Sequence, residues 1–197
     1  MKDRVTPWER VKGRGMYPIE YAGWLLSPLR NLIAPAARIV SRLGLQPGDR
    51  VLEIGCGPGF FSPTVAQRLT SGRLTLFDAQ EGMIAIAAER LGRRGLSNFD
   101  ASVGSAENLP FADERFDVVF MVTVLGEVPD RHRAVAEAAR VLRRGGRFSV
   151  TEAAGDPDRV PRGEVAGLAA AAGLAAEKAW AGLFVATLNY RRPADDA

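Results

Sequence analysis

The chain has 197 residues, 47% of them hydrophobic and 25% charged, and 26 basic residues against 23 acidic ones leave a formal charge of +3. That is the composition of one folded domain with a real core; it excludes a disordered chain, and arginines interleaved with acids exclude a dedicated nucleic-acid stripe. A single cysteine excludes an internal disulfide and a multi-cysteine metal site, and points to a reducing cytoplasm.

Residues 1–14 are too charged for a secretory signal, and no apolar run approaches the ~20 residues of a membrane span. Up to residue 18, with Gly13, Gly15 and Pro18, the chain reads as a mobile arm. Between residues 19 and 43, apolar side chains recur at helical spacing, among them Ala22, Leu25, Leu26, Leu29, Ile33, Ala36, Val40 and Leu43. Pro28 and Pro35 interrupt them, which predicts two or three short helices, with Ser27 capping the one that starts at Pro28.

Residues 50–61 organise the rest of the chain. Val51, Leu52 and Ile54 read as a buried strand, and Gly55, Gly57 and Gly59 turn the backbone sharply before an apolar segment resumes at Phe60. Glycines let a ligand approach the backbone, and the helix N-terminus behind them offers N–H groups, so this is a nucleotide-type site. A dinucleotide fingerprint needs its third glycine at position 60, which is Phe60; a nucleotide-dependent oxidoreductase is therefore disfavoured. Cys56, inside the turn, reads as a small filler rather than a catalytic thiol.

Beyond the turn, the pattern predicts a helix to about residue 70, a strand at 74–77 ending at Asp78, an alanine-rich helix at 81–91, and strands at 99–103 and 116–122. Next come a helix at 130–142 capped by Asp130, a turn at Gly145-Gly146, a strand at 147–151 and a helix at 160–172. Two β-prone runs, 175–180 and 183–190, are joined by a link too short for a crossover and should pair antiparallel. Alternation of this kind predicts a parallel sheet covered on both faces, with ligands at the carboxyl ends of its strands.

The string Val51-Leu52-Glu53-Ile54-Gly55-Cys56-Gly57-Pro58-Gly59 resembles motif I of class I S-adenosylmethionine-dependent methyltransferases. Leu109-Pro110-Phe111, Phe116-Asp117-Val118-Val119, Glu137, Arg140-Val141-Leu142 and Gly145-Gly146 are similar to later motifs of the group that includes ubiquinone and menaquinone C-methyltransferases, the methyltransferase type 11 group. The likeness covers about residues 45–190. It implies an α/β Rossmann-like three-layer sandwich with a seven-stranded, mostly parallel sheet in the order 3-2-1-4-5-7-6, the last strand antiparallel. Residues 45–197 would be the core, and residues 1–44 an N-terminal arm and helical cap of the same domain. The implied cofactor is S-adenosyl-L-methionine, and the implied activity is methyl transfer to a small, largely apolar molecule. A module that binds the cofactor without catalysis stays open. A nucleic-acid methyltransferase is disfavoured, since neither an Asn/Asp-Pro-Pro-Tyr motif nor a second cysteine is present.

Carried onto this chain, the resemblance implies cofactor contacts from Glu53, Gly55, Cys56, Gly57 and Gly59. Asp78, with Ala79 beside it, takes the place of the ribose-binding acid, against a second reading as a helix cap. Met83 stands where an adenine-packing side chain is expected, against a second reading as core. Ser105 replaces the usual acid after the third strand, with Glu107 as its substitute and Ala106 supplying a backbone N–H. Val122 and Thr123 close the fourth strand on the same site. Glu127 and Tyr17 are the catalytic candidates; Glu127 also reads as a solvated loop carboxylate, and Tyr17, with Tyr21 and Trp24, as cap or ordinary packing. His132, the one histidine, reads as surface.

Overall fold

A computed structural model describes residues 17–26 and 34–194, with only the backbone of Tyr21 and Trp24. The predicted arm up to residue 16, the Ser27-Pro28 cap, and the side chains of Leu29, Ile33, Tyr21 and Trp24 lie outside the described residues. Seven strands form one sheet: β1 Arg50–Ile54, β2 Arg73–Asp78, β3 Phe99–Val103, β4 Phe116–Val122, β5 Leu142–Ala153, β6 Ala175–Ala181 and β7 Val185–Arg191. Their order is β3-β2-β1-β4-β5-β7-β6, with β7 antiparallel to both neighbours and every other pairing parallel. Among the described residues six α-helices accompany it: α1 Ala22–Leu25, α2 Ala36–Arg42, α3 Ser62–Ala66, α4 Glu81–Gly92, α5 Arg131–Val141 and α6 Arg162–Ala171.

β1 is buried at four successive positions because it lies at the middle of the sheet with helices on both faces. The period of two then sorts its neighbours. Val51, Leu74, Leu76, Val118 and Phe120 pack with α2, α3 and α4, whereas Leu52, Ile54, Val119, Met121, Phe148 and Val150 pack with α5 and α6.

Three elements differ from the pattern-based expectation. The helix after the glycine turn stops at Ala66 rather than near residue 70, because the Asn98 amide donates to the carbonyls of Ala66 and Leu69 at 2.9 and 2.8 Å and captures that end. β5 starts at Leu142 rather than 147; the Gly145 N–H donates to the Arg192 carbonyl and the Arg192 N–H to the Gly146 carbonyl, and the pairing with β4 is irregular between Phe116 and Val118, so the predicted turn is a kinked strand. The helix predicted from 160 opens at Arg162, after Pro161.

Two of the recognised motifs form one hydrogen-bonded unit. Arg140 donates to the carbonyls of Leu109 and Phe111 and pairs with Glu137 and Asp113, while Glu137 accepts the Leu109 N–H at 2.8 Å. These residues pin the β3–β4 connection.

The apolar stripe before the core divides in two. Ile39, Val40 and Leu43 are buried against the sheet face, with Arg42 reaching Thr187 at 3.0 Å, whereas residues 17–25 lie at the carboxyl ends of the strands.

Candidate active site

A cavity of about 750 Å³ opens where β1, β2, β4 and β5 end. The glycine turn forms its floor, and its three positive-φ glycines do different work. A Cβ at Gly59 would stand 3.0 Å from the Ala87 Cα, so this glycine lets the turn lie against α4. At Gly55 a Cβ would collide with the side chain of Val124, so that glycine makes room for the loop after β4. Among the described residues, a Cβ at Gly57 (φ +52°) would meet nothing nearer than Leu25 Cδ1 at 3.9 Å, and this glycine lines the cavity with bare backbone.

Asp78, at the end of β2, is buried and ties two loops together. Its Oδ2 accepts the Gly57 N–H and its Oδ1 the Gln80 N–H, both at 2.9 Å. Burial raises its pKa, opposed by the N–H groups of Gln80, Gly57 and Ala79. A carboxylate offers about four lone-pair sites, so the three N–H groups leave room for a further donor. The helix-cap reading is not what the structure shows: α4 is preceded by Gln80, and Asp78 holds the turn before it.

After β3, the Ser105 hydroxyl donates to Glu107 Oε2 at 3.0 Å, and Glu107 Oε1 accepts the Asp130 N–H at 2.8 Å. Ser105 thus holds the Glu107 carboxylate on the cavity wall. Met83 is 1% exposed and lines the cavity. After β4, Thr123 adopts φ +54°, a strained conformation for a β-branched residue, and its N–H donates to the Thr151 carbonyl at 2.8 Å. That kink turns Val124 and the Leu125–Glu127 turn over the cavity.

Tyr17 and Glu127, 110 residues apart in sequence, meet at the mouth: the Tyr17 N–H lies 3.3 Å from Glu127 Oε2, and Gln80 Nε2 donates to the Tyr17 carbonyl at 2.9 Å. Of the expected cofactor contacts, Gly55, Gly57, Asp78, Ala79, Met83, Ser105, Ala106, Glu107, Val122 and Thr123 line the cavity. Glu53, Cys56 and Gly59 stand behind it. Burial, then the charges of Glu53 and Asp78, push the Cys56 thiol well up, which suits an inert filler. His132 is exposed at the first turn of α5.

Sequence reasoning missed Gln80, Gly155 and Asp156, which also line the cavity. The last two follow β5, where strand ends meet ligands in such sheets, and that rule was the available signal. It also missed Glu152, 3% exposed at the end of β5. Its Oε2 is 3.4 Å from the Val160 N–H, and burial, then Asp156, pushes its pKa up to about 8. Among the described residues no His, Cys, Asp and Glu cluster could hold a metal, and no helix is long and apolar enough to cross a membrane.

A methyltransferase domain family model matches residues 52–150. The ubiquinone/menaquinone biosynthesis C-methyltransferase UbiE of Xanthomonas oryzae is 38% identical over 115 residues, 57% of this chain and 46% of that protein. The UbiE of Hydrogenovibrio crunogenus is 34% identical over 111 residues, 55% of this chain and 44% of that protein. The chain thus aligns with a little under half of the length of these relatives. A SAM-dependent methyltransferase from Aquifex aeolicus has the same fold, with a TM-score of 0.83 at 20% identity over 90% of this chain and all of that one. The [4+2]-cyclase SpnF superposes with a TM-score of 0.73 at 24% identity over 82% of each chain. Half of the sequence lies inside the family model, and the chain belongs to the methyltransferase domain family, whose methyl donor is S-adenosyl-L-methionine.

Proposed function

We propose that this chain transfers the methyl group of S-adenosyl-L-methionine to a small, largely apolar molecule held in the outer part of the same cavity. The observation that carries this reading is the mixed lining of one cavity, where the bare Gly57 backbone, the Asp78 carboxylate and Met83 stand with Leu25, Val124, Val128, Pro129 and Glu127. We assign the first group to the cofactor, as the inner end, and the second to the acceptor, as the outer end. When bound, the cofactor supplies a methyl group already activated on a positively charged sulfur. The protein then needs to orient two molecules and exclude water.

Asp78 would hold the ribose hydroxyls while it ties the glycine turn to residue 80, and Glu107 would answer the adenine amino group. Buried Asp78 and Glu53 add negative charge around the inner end, which favours a cationic ligand. Glu127, which meets the Tyr17 backbone, is the group we assign to the proton that the acceptor loses, and residues 17–25 are the lid that shuts out solvent. The UbiE relatives, C-methyltransferases of ubiquinone and menaquinone biosynthesis, support an acceptor of this class. We place the reaction in the cytoplasm, where a lone buried thiol is stable.

Incubation with methyl-labelled cofactor and cell extract, with labelled products identified by mass spectrometry, tests the reading. The expected product is a small apolar molecule, and Glu127→Gln should lower its turnover while leaving cofactor affinity within about twofold. Cofactor binding without any labelled product would make the chain a binding module, and tRNA or DNA labelled at a matching rate would contradict the acceptor class.

A further inference from the structure

Apolar side chains that stand exposed are scattered on most surfaces; here they are not. Among the described residues the large exposed ones are Ile19, Val103, Leu183 and Phe184, at 37, 47, 85 and 57% exposure. All four lie at the ligand end. Val103 ends β3 at one edge of the sheet, Ile19 belongs to the segment that borders the cavity, and Leu183 and Phe184 form the tip of the β6–β7 hairpin at the opposite edge. The Phe184 carbonyl accepts the Ala154 N–H at 2.7 Å, one residue before Gly155 on the cavity wall, so the hairpin tip adjoins the mouth.

The foot of that hairpin is basic. Lys178 Nζ and the Arg42 guanidinium lie 5.0 and 5.6 Å from the Trp180 ring centroid, and burial, then the charge of Arg38, lowers the Arg42 pKa. Glu177, the one acid of β6, is turned to Arg147 and Arg191 and neutralised there. An apolar tip, a tryptophan three residues before it and cations around that ring are the composition of a segment that sits in the headgroup region of a bilayer.

We infer that this face docks on an anionic lipid surface, with the hairpin tip inserted and the cavity mouth turned toward the bilayer, so that an apolar acceptor enters from the lipid. Docking itself does not depend on methyl transfer, and the two can fail separately.

Co-flotation with vesicles of phosphatidylglycerol and phosphatidylcholine in equal amounts, compared with pure phosphatidylcholine, provides the test. The wild-type chain should float with the anionic vesicles, less so as salt rises. Leu183→Ser with Phe184→Ser should reduce the bound fraction at least ~10-fold, with melting temperature and S-adenosylhomocysteine affinity retained. Lys178→Glu should weaken binding to the anionic vesicles alone. No wild-type binding to anionic vesicles, or undiminished binding by the double serine variant, overturns the proposal. So does a dimer in sedimentation that the double variant dissociates without any vesicle binding, which would assign the tip to a second copy of the chain.

Discussion

Replacing Gly57 by alanine should separate ligand contact from backbone strain. The residue sits at φ +52°, where a Cβ costs about 1–2 kcal/mol, and alanine's lower unfolded-state entropy offsets part of this. The net loss of about 1 kcal/mol should lower the melting temperature by about 2–4 °C in a chain of this size. Among the described residues nothing would touch the new methyl closer than Leu25 Cδ1 at 3.9 Å, so no further destabilisation is expected. A ligand lying on this backbone would meet the methyl, and overpacking of that kind costs about 1–3 kcal/mol, or about 5- to 150-fold in Kd. Gly95→Ala is the matched control: φ is +69° and the added Cβ meets nothing within 4 Å, so it reports strain alone. Gly59→Ala is the opposite control, because its Cβ presses on Ala87 at 3.0 Å and should cost more stability than either. Melting curves and calorimetric titration with S-adenosylhomocysteine read all three. If Gly57→Ala binds as tightly as Gly95→Ala, the ligand does not lie against Gly57 and the assignment of the inner end collapses.

Glu152→Gln should flatten the pH dependence of stability. A buried carboxyl raised to about 8 keeps its proton in the folded state while the unfolded chain loses it near the ordinary glutamate value of about 4.3, so its contribution is full below that value and lost as pH rises toward 8. Melting temperatures from pH 5 to 9 should fall for the wild type and less for the variant; parallel curves would show that Glu152 is not the group involved. Arg140→Ala strips the carbonyls of Leu109 and Phe111 of their donor and should cost about 1–3 kcal/mol in a denaturant titration, whereas a loss under about 0.5 kcal/mol would mean that water replaces it fully. Deleting residues 1–26 removes Tyr17 and Leu25 from the cavity wall and should abolish methyl transfer while leaving a folded chain with weakened cofactor binding; full activity would refute the lid.

The elements that the sequence determined by itself are those whose causes are local. A run of Val51, Leu52 and Ile54 followed by closely spaced glycines specifies strand and turn wherever it occurs, because sterics at each residue decide it. Alternation of strands with helices then leaves few topologies, and the short link expected at Ala181-Gly182 requires the antiparallel β6–β7 pair that the structure shows. Asp78 was legible for the same reason: it ends a strand whose neighbour carries the turn.

Tertiary structure decided what depends on groups far apart in the chain. That Gln80 would catch the Tyr17 carbonyl, that residues 17–25 would go to the mouth while α2 goes to the sheet face, and that Gly155 and Asp156 would reach the cavity are facts about packing with no local signature. Even the end of α3 was set by Asn98, some thirty residues away, capturing two carbonyls. The chemistry of Glu152 was equally invisible: a glutamate reads as exposed and ionised, and only the closure of the loop over β5 removes it from water and keeps its proton on.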